Sequence, residues 1–445
     1  MPSYTGVAKS MELYGRAAEL IPGRTQLISR RSSQFAHGVS PIYAERAKGS
    51  RFVDVDGNEF IDWINAVTAV ILGHADDVVD SAVKEQIDRG SIYTVNSALE
   101  IELAEILIET IPSAEMVRYT KGGGEACAVA ARIARGTTER EKILICGYHG
   151  WHDWYQAANF QANPETGEFP FAGIEPTGVP RGLEGSVLPF TYGDPEMVEA
   201  LLQENVGEVA AIMMEPARGQ LPPAGYLERI VELAHQHGAL VIFDEVSCGW
   251  RFRIGGIQSE VGVTPDMTVV AKAMSNGYPM GAVVGSREAM EPAGRMFVSS
   301  SYWSDNVGLA ASVATITELK RRDSERRFRE LGGAVRTRLE RAISDVGIDA
   351  RVIGLETAPA ISVDAPDADA TKKIATLFCQ EMARRGIYCH LGFQSTLAHT
   401  QEDIDITGEA ATEVLGIVKG GLDHGDLDSL IECDASKEPF RRLVS

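Results

Sequence analysis

An α/β fold with a mostly parallel sheet is predicted by three features of this 445-residue sequence. Short apolar runs such as LVIFD and MTVVAK end on a charged residue, with small or turn-forming residues close behind. Such runs read as buried parallel strands, because a strand covered on both faces loses the usual polar alternation. The runs are separated by helical stretches, for instance GYLERIVELAHQHG between VAAIMM and LVIFD. That is the strand–helix–strand order a parallel sheet requires. From about Val307 the composition shifts to charged helices and short strands such as PAISV and GIYCH, which predicts a smaller α+β domain. The expected division is an N-terminal arm and hairpin at 1–70, a large domain at 71–310 and a small domain at 311–445.

Composition narrows the function. Sixty-three acidic against 42 basic residues give a formal charge of −21. This disfavours nonspecific binding to nucleic acid or anionic membranes. Six cysteines without a CxxC pair read as reduced thiols of a cytoplasmic protein. No apolar run approaches the ~20 residues that span a bilayer.

Along the chain, SMELYGRAAELIPG has helical spacing and stops at Pro22-Gly23. Arg30 and Arg31 follow, either solvated or set to bind a substrate carboxylate. RFVDVDGNEFIDWI reads as a hairpin turning at Asp56-Gly57. His74 reads as structural. Ser97 and Glu100 have capping-box spacing ahead of a Leu99, Leu103, Ile106, Leu107 stripe. In VRYTKGGGEACAVAARIARG a strand enters Gly122-Gly123-Gly124 and a helix leaves from about Glu125. Glycines before a helix let backbone N–H groups close on an anion at its positive end, and a phosphate fits there; a plain tight turn is the alternative. The pattern is not GxGxxG, so a dinucleotide fold is disfavoured.

KILICGYHGWHDW gives a strand with Tyr148, His149, His152 and Asp153 at its end. The last three are candidate metal ligands, though no second ligand cluster supports a metal site. Residues 154 to about 193 read as a proline-bearing loop, suited to closing over a substrate or shaping a dimer contact. VAAIMM ends at Glu215. LKRRDSERRFREL, in a long helix starting near Val307, reads as a solvated face.

Asp244 and Lys272 close two of these strands and so reach the same carboxyl edge of the sheet, where open α/β sheets place ligands. The pair suits pyridoxal 5′-phosphate. A lysine amine forms a Schiff base with it, and an aspartate pairs with its protonated ring nitrogen. A structural ion pair is the alternative.

The FDEV and PDMTVVAKAMSNGYPMGAVVG stretches resemble the class-III aminotransferases, and the likeness runs from about Ile42 to Thr400. The resemblance implies the fold type I architecture of pyridoxal-phosphate enzymes and a homodimer with the active site at the subunit interface. It also implies roles for residues. Lys272 carries the Schiff base and Asp244 meets the ring nitrogen. Gly122, Gly123 and Gly124 form the phosphate cup, Tyr148 stacks on the ring, and Glu215 and Val246 lie at the cofactor. Ser301 stands where relatives place a threonine that reaches the other subunit's phosphate. Ala66 and Val67 face the substrate. Many relatives have hydroxyl residues at Gly122 and Gly124. This chain, with only backbone there and Lys121 beside it, is expected to hold phosphate less tightly.

ERAKGSRFVDVDGNEFIDWI and LAHTQEDID are similar to the glutamate-1-semialdehyde aminomutase branch. That branch has an acidic gating residue before AHT and an aromatic residue at Val67, and both are missing here. The expectation is therefore aminotransfer between two molecules by a ping-pong route, with His390 and Gln394 as candidate substrate contacts. A 2,1-aminomutase or a racemase is the alternative.

Overall fold

The structure is a computed structural model that describes residues 4–161, 175–217 and 219–435. Its strands are β1 (Ala44–Lys48), β2 (Arg51–Asp54), β3 (Glu59–Asp62), β4 (Met116–Thr120), β5 (Lys142–Cys146), β6 (Val187–Pro189), β7 (Val209–Met214), β8 (Leu240–Asp244), β9 (Met267–Val270), β10 (Gly281–Gly285), β11 (Ala350–Leu355), β12 (Ala358–Val363) and β13 (Ile387–Tyr388). The chain forms two compact units. One joins the chain up to Asp76 to the stretch beginning at Arg326; the other is Asp77–Glu325.

The second unit holds a seven-stranded sheet in the order β4-β10-β9-β8-β7-β5-β6. All neighbours are parallel except β10, which runs against both β4 and β9. Side chains alternate between the faces of a strand. Ile143 and Ile145 of β5 join Ala211, Met213 and the helix Gly123–Thr138 on one side. Leu144 and Cys146 join Ile212, Met214 and the helix Tyr226–Gln236 on the other. Both faces are thus dry, which explains the unbroken apolar runs in the sequence.

The first unit has a four-stranded sheet, β1-β2-β3-β13, and the hairpin β11–β12. The turn at Asp56-Gly57 closes the β2–β3 hairpin as the sequence predicts, with Gly57 at φ 90°. β13 pairs parallel with β3, Ile387 opposite Ile61. This pairing makes the arm and hairpin part of the same unit as the C-terminal helices, whereas the sequence suggested three consecutive domains at 1–70, 71–310 and 311–445. Trp63, Phe378, Phe393 and Leu415 fill the shared core. Ser50 and Arg51 reach Asp403 at 2.9 and 2.7 Å, where Asp403 completes the Thr400 capping box of helix Gln401–His424.

Two other expectations shift. The long helix from Val307 is two helices, Asn306–Arg321 and Ser324–Val346, divided at Asp323 with φ 50°. The second is solvated on its Arg326–Glu330 side as predicted, yet buries Phe328, Leu331 and Leu339. In the predicted loop 154–193, residues 162–174 lie outside the described residues, and β6 is a short strand on the sheet edge.

Glu318, on the helix Asn306–Arg321, is gripped by Arg321 and Arg322 at 2.7 Å each. The Arg321 hydrogen bond, helped by Arg322, overcomes burial and holds the carboxyl down to about 2. A depressed carboxylate stabilises the fold above its ordinary value, and that contribution disappears as pH falls through the folded value. Glu318→Gln should therefore melt below the wild type at pH 6, and the two melting curves should converge near pH 2.

Candidate active site

Five sheet-edge loops of the second unit supply its candidate residues other than Ser301. β8 ends on Asp244 and β9 lies beside it in parallel, with Asp244 opposite Val269. Lys272 follows three residues later, in a short 3-10 turn, Lys272–Ser275. Its φ is 47°, a left-handed conformation that an L side chain adopts only when its surroundings hold it. Such strain concentrates at functional sites. Lys272 Nζ donates to Ser247 Oγ at 2.7 Å. Ser247 stands three residues beyond Asp244, so one loop orients both.

Asp244 is 3 % exposed. Its Oδ1 accepts the Val246 N–H at 3.0 Å. Its Oδ2 lies 2.8 Å from His149 Nδ1 and 3.3 Å from the Cys127 thiol. Glu245 points the opposite way, as successive residues at a strand end do, and accepts from the Ile257 and Gln258 N–H groups. Burial raises the Glu245 carboxyl above its ordinary value.

The three glycines sit at the mouth of the helix Gly123–Thr138, with Gly122 as its N-cap. A Cβ on Gly123 would meet Val246 Cγ1 at 2.6 Å, and a Cβ on Gly124 would meet Gly150 Cα at 3.1 Å. At Gly122 nothing among the described residues lies within 4 Å of a Cβ. The loop is thus tight on its inner side and open on its outer side, a cradle for an anion at a helix N-terminus. Lys121 is engaged elsewhere, its Nζ pairing with Asp305 at 2.7 Å. Asp305 in turn caps the helix Asn306–Arg321.

Tyr148 and Val246 both pack, half-buried, against the core on the Gly123–Thr138 side of the sheet. The Tyr148 N–H donates to Glu215 Oε2 at 3.3 Å, and its ring stands edge-on to Tyr155 with centroids 5.9 Å apart. Ser301 is exposed in a turn ahead of the helix Asn306–Arg321.

The metal reading of His149, His152 and Asp153 is not supported. His149 faces Asp244, while the His152 ring stacks on Trp151 at 4.5 Å. Among the described residues, Cys127, His149 and Asp244 do bring their ligand atoms within 4.8 Å of one another. Those atoms are already joined through the hydrogen bonds to Asp244 Oδ2.

The remaining sequence candidates belong to the first unit. Asp62 Oδ2 holds His74 Nε2 at 2.9 Å, the structural role expected. Asp62 Oδ1 accepts from the Ile64 and Asn65 N–H groups, and there the chain enters a left-handed turn with φ between 50° and 68° over residues 65–68. Ala66 and Val67 from this turn line a cavity of about 320 Å³, with Arg30, Phe35, Phe52 and Tyr388 among its other walls. His390 stacks on Phe35 at 4.2 Å, and burial pushes its imidazole down to about 4. The Gln394 carbonyl accepts from Asn65.

Sequence reasoning missed Cys127, His149 as a partner of Asp244, and Ser247. His149 and Ser247 each follow a strand end by three residues, a signal that was available. Cys127 carries no local signal.

The fit to pyridoxal phosphate rests on this donor set. It comprises a lysine at a strand end, a buried carboxylate beside it, a glycine cradle with an open outer side, and a His149 Nε2 that is buried without a hydrogen-bond partner among the described residues.

Comparison with known proteins agrees with the geometry. The model of the family "Aminotransferase class-III" matches residues 34–419. A 3-aminobutyryl-CoA aminotransferase from Cloacimonas acidaminovorans (strain Evry) is 34% identical, covering 93% of this chain and 98% of the relative. A glutamate-1-semialdehyde 2,1-aminomutase from Desulforamulus reducens (strain ATCC BAA-1160 / DSM 100696 / MI-1) is also 34% identical, covering 92% and 97%. A solved transaminase with PLP bound superposes with a TM-score of 0.83 at 28% identity, covering 93% of this chain and 99% of that one.

Proposed function

The chain belongs to the class-III aminotransferases, enzymes dependent on pyridoxal 5′-phosphate with the fold type I architecture, and from this premise we propose that it moves an amino group from an amine or amino acid donor to a carbonyl acceptor in two half-reactions at Lys272. The observation that carries the reading is the convergence of Lys272, held left-handed on Ser247, and the buried Asp244 on one sheet edge.

When bound, the cofactor supplies an aldehyde for covalent attachment and a ring that accepts the charge left when a substrate proton departs. Lys272 Nζ is the attachment point. As a neutral amine at the sheet edge it would take up and return that proton. Ser247 Oγ orients Nζ. Asp244 presents a fixed negative charge to the ring nitrogen, with no reorganisation needed during the reaction. Tyr148 and Val246 would pack against the ring, and Glu215 Oε2 holds the backbone of Tyr148 by accepting its N–H. The N–H groups of Gly122, Gly123 and Gly124 would hold the phosphate.

Ser301 offers its hydroxyl to the phosphate in a partner subunit. Phe297 and Tyr302 beside it are 83 % and 68 % exposed, which supports a covering partner and hence a homodimer. All six thiols are free and five are buried, which suits a reducing cytoplasm. No described helix is long and apolar enough to cross a membrane.

The cup makes a constructive prediction. Gly122 has extended backbone, φ −159°, and room for a side chain. Gly122→Ser adds a favoured N-cap and a hydroxyl donor to the phosphate. One hydrogen bond to a charged group is worth ~1.5–3 kcal/mol, so cofactor affinity should rise about tenfold or more. Equilibrium titration of cofactor-free protein by tryptophan fluorescence checks this.

A 2,1-aminomutase is the second reading, because such a relative is as similar as the aminotransferase. Labelled nitrogen separates the two. Cofactor-loaded protein is given ¹⁵N-labelled donors with unlabelled 2-oxo acids. A β-amino donor goes first, since one relative is named a 3-aminobutyryl-CoA aminotransferase. Label appearing in the acceptor's product supports aminotransfer. Label moving only within the donor's own carbon skeleton would replace that reading with the aminomutase.

A further inference from the structure

Cys127 takes no part in the steps above, yet it occupies a demanding place. It lies in the second turn of the helix Gly123–Thr138, is 1 % exposed, and aims its thiol at Asp244 Oδ2 from 3.3 Å. Three elements therefore fix one carboxylate: this helix through Cys127, the loop after β5 through His149, and the loop after β8 through the Val246 N–H. The titratable groups facing the thiol are Asp244, His149 beyond the shared oxygen, and Glu215. Burial, then the charges of Asp244 and Glu215, push the Cys127 thiol well above its ordinary range. It thus stays a protonated donor at any working pH. A small apolar residue would fill the same volume, so the hydrogen bond is what distinguishes cysteine here.

Resting on the reading of Asp244 as the ring-nitrogen partner, we propose that Cys127 is a positioning residue that donates its S–H to Asp244 Oδ2 and draws off part of its negative charge, so that the cofactor ring keeps its proton. Three donors share the negative charge of Asp244. Removing one concentrates that charge and draws the ring proton toward the carboxylate. A less positive ring in turn leaves the cofactor-linked nitrogen of Lys272 protonated to higher pH.

The test is the pH titration of the visible absorbance band of cofactor-loaded protein. Cys127→Val, which puts apolar bulk in place of the thiol and deletes the donor, should raise the midpoint by roughly half a pH unit, less than a full charge-assisted hydrogen bond would give. Cys127→Ser keeps a donor and should return the midpoint toward the wild type. A Val variant with the wild-type midpoint, or a Ser variant displaced as far as Val, overturns the proposal.

Asp244→Asn is run alongside. If it moves the midpoint and Cys127→Val does not, the Cys127 proposal fails alone; if neither moves it, the reading of Asp244 fails as well. Should Cys127→Val not retain cofactor, the proton resonance of His149 Nδ1–H in cofactor-free protein gives a second readout. With His149 left as the only donor to Oδ2 among the described residues, that resonance should move downfield, and an unmoved resonance overturns the proposal.

Discussion

Lys272→Ala should lose turnover by at least about 10⁴-fold while keeping its fold. Proton transfer by a positioned base is worth ~10²–10⁴ by itself, and loss of the covalent attachment point adds to that. Alanine bears the same left-handed strain as lysine at φ 47°, because the penalty comes from Cβ. The stored strain is therefore unchanged. Ser247 loses one donor but is only half-buried, so water replaces it. The melting temperature should stay within about 1 °C of the wild type, the shift that about 1 kcal/mol produces in a chain of this size. Residual multiple-turnover activity in this variant, measured with a donor that is active on the wild type, would move the chemistry to another lysine.

The second large effect is at Asp244, where charge and architecture separate cleanly. Asp244→Ala removes the acceptor of three donors at once: Val246 N–H, His149 and Cys127. Each buried donor left unsatisfied costs ~1–3 kcal/mol, so this variant should be markedly less stable as well as inactive. Asp244→Asn keeps the volume and one acceptor oxygen but gives up the charge. It should fold and bind cofactor, with turnover reduced ~10²–10³-fold, the size expected when one preorganised electrostatic partner is lost. Thermal melting and steady-state kinetics on the two variants separate the roles. An Asn variant with wild-type turnover would mean that no charge is needed at this position.

The sequence made the Asp244–Lys272 edge legible because each of these charges closes an unbroken apolar run, at the edge where open α/β sheets place ligands. The central strands were legible for the same reason, being dry on both faces. The direction of β10 was not: GAVVG reads alike either way, and only its pairing with β4 and β9 makes it antiparallel. The union of the hairpin with the C-terminal residues depends on β13, two residues long, too short to show a pattern. The break at Asp323 falls in RRDS, which has neither proline nor glycine to mark it. Cys127 stands 117 residues from Asp244, on a helix whose alanine-rich stripe reads as packing alone. Contacts of that range carry no periodic signal, and only the folded sheet brings them together.

Peptide mapping of the wild-type protein, loaded with pyridoxal phosphate and reduced with borohydride, tests the central claim most directly. Reduction makes the cofactor's attachment permanent, and mass spectrometry locates it. The expected result is one phosphopyridoxyl group per chain, on the peptide containing Lys272. A label on any other lysine, or none after full loading, would contradict the assignment of Lys272.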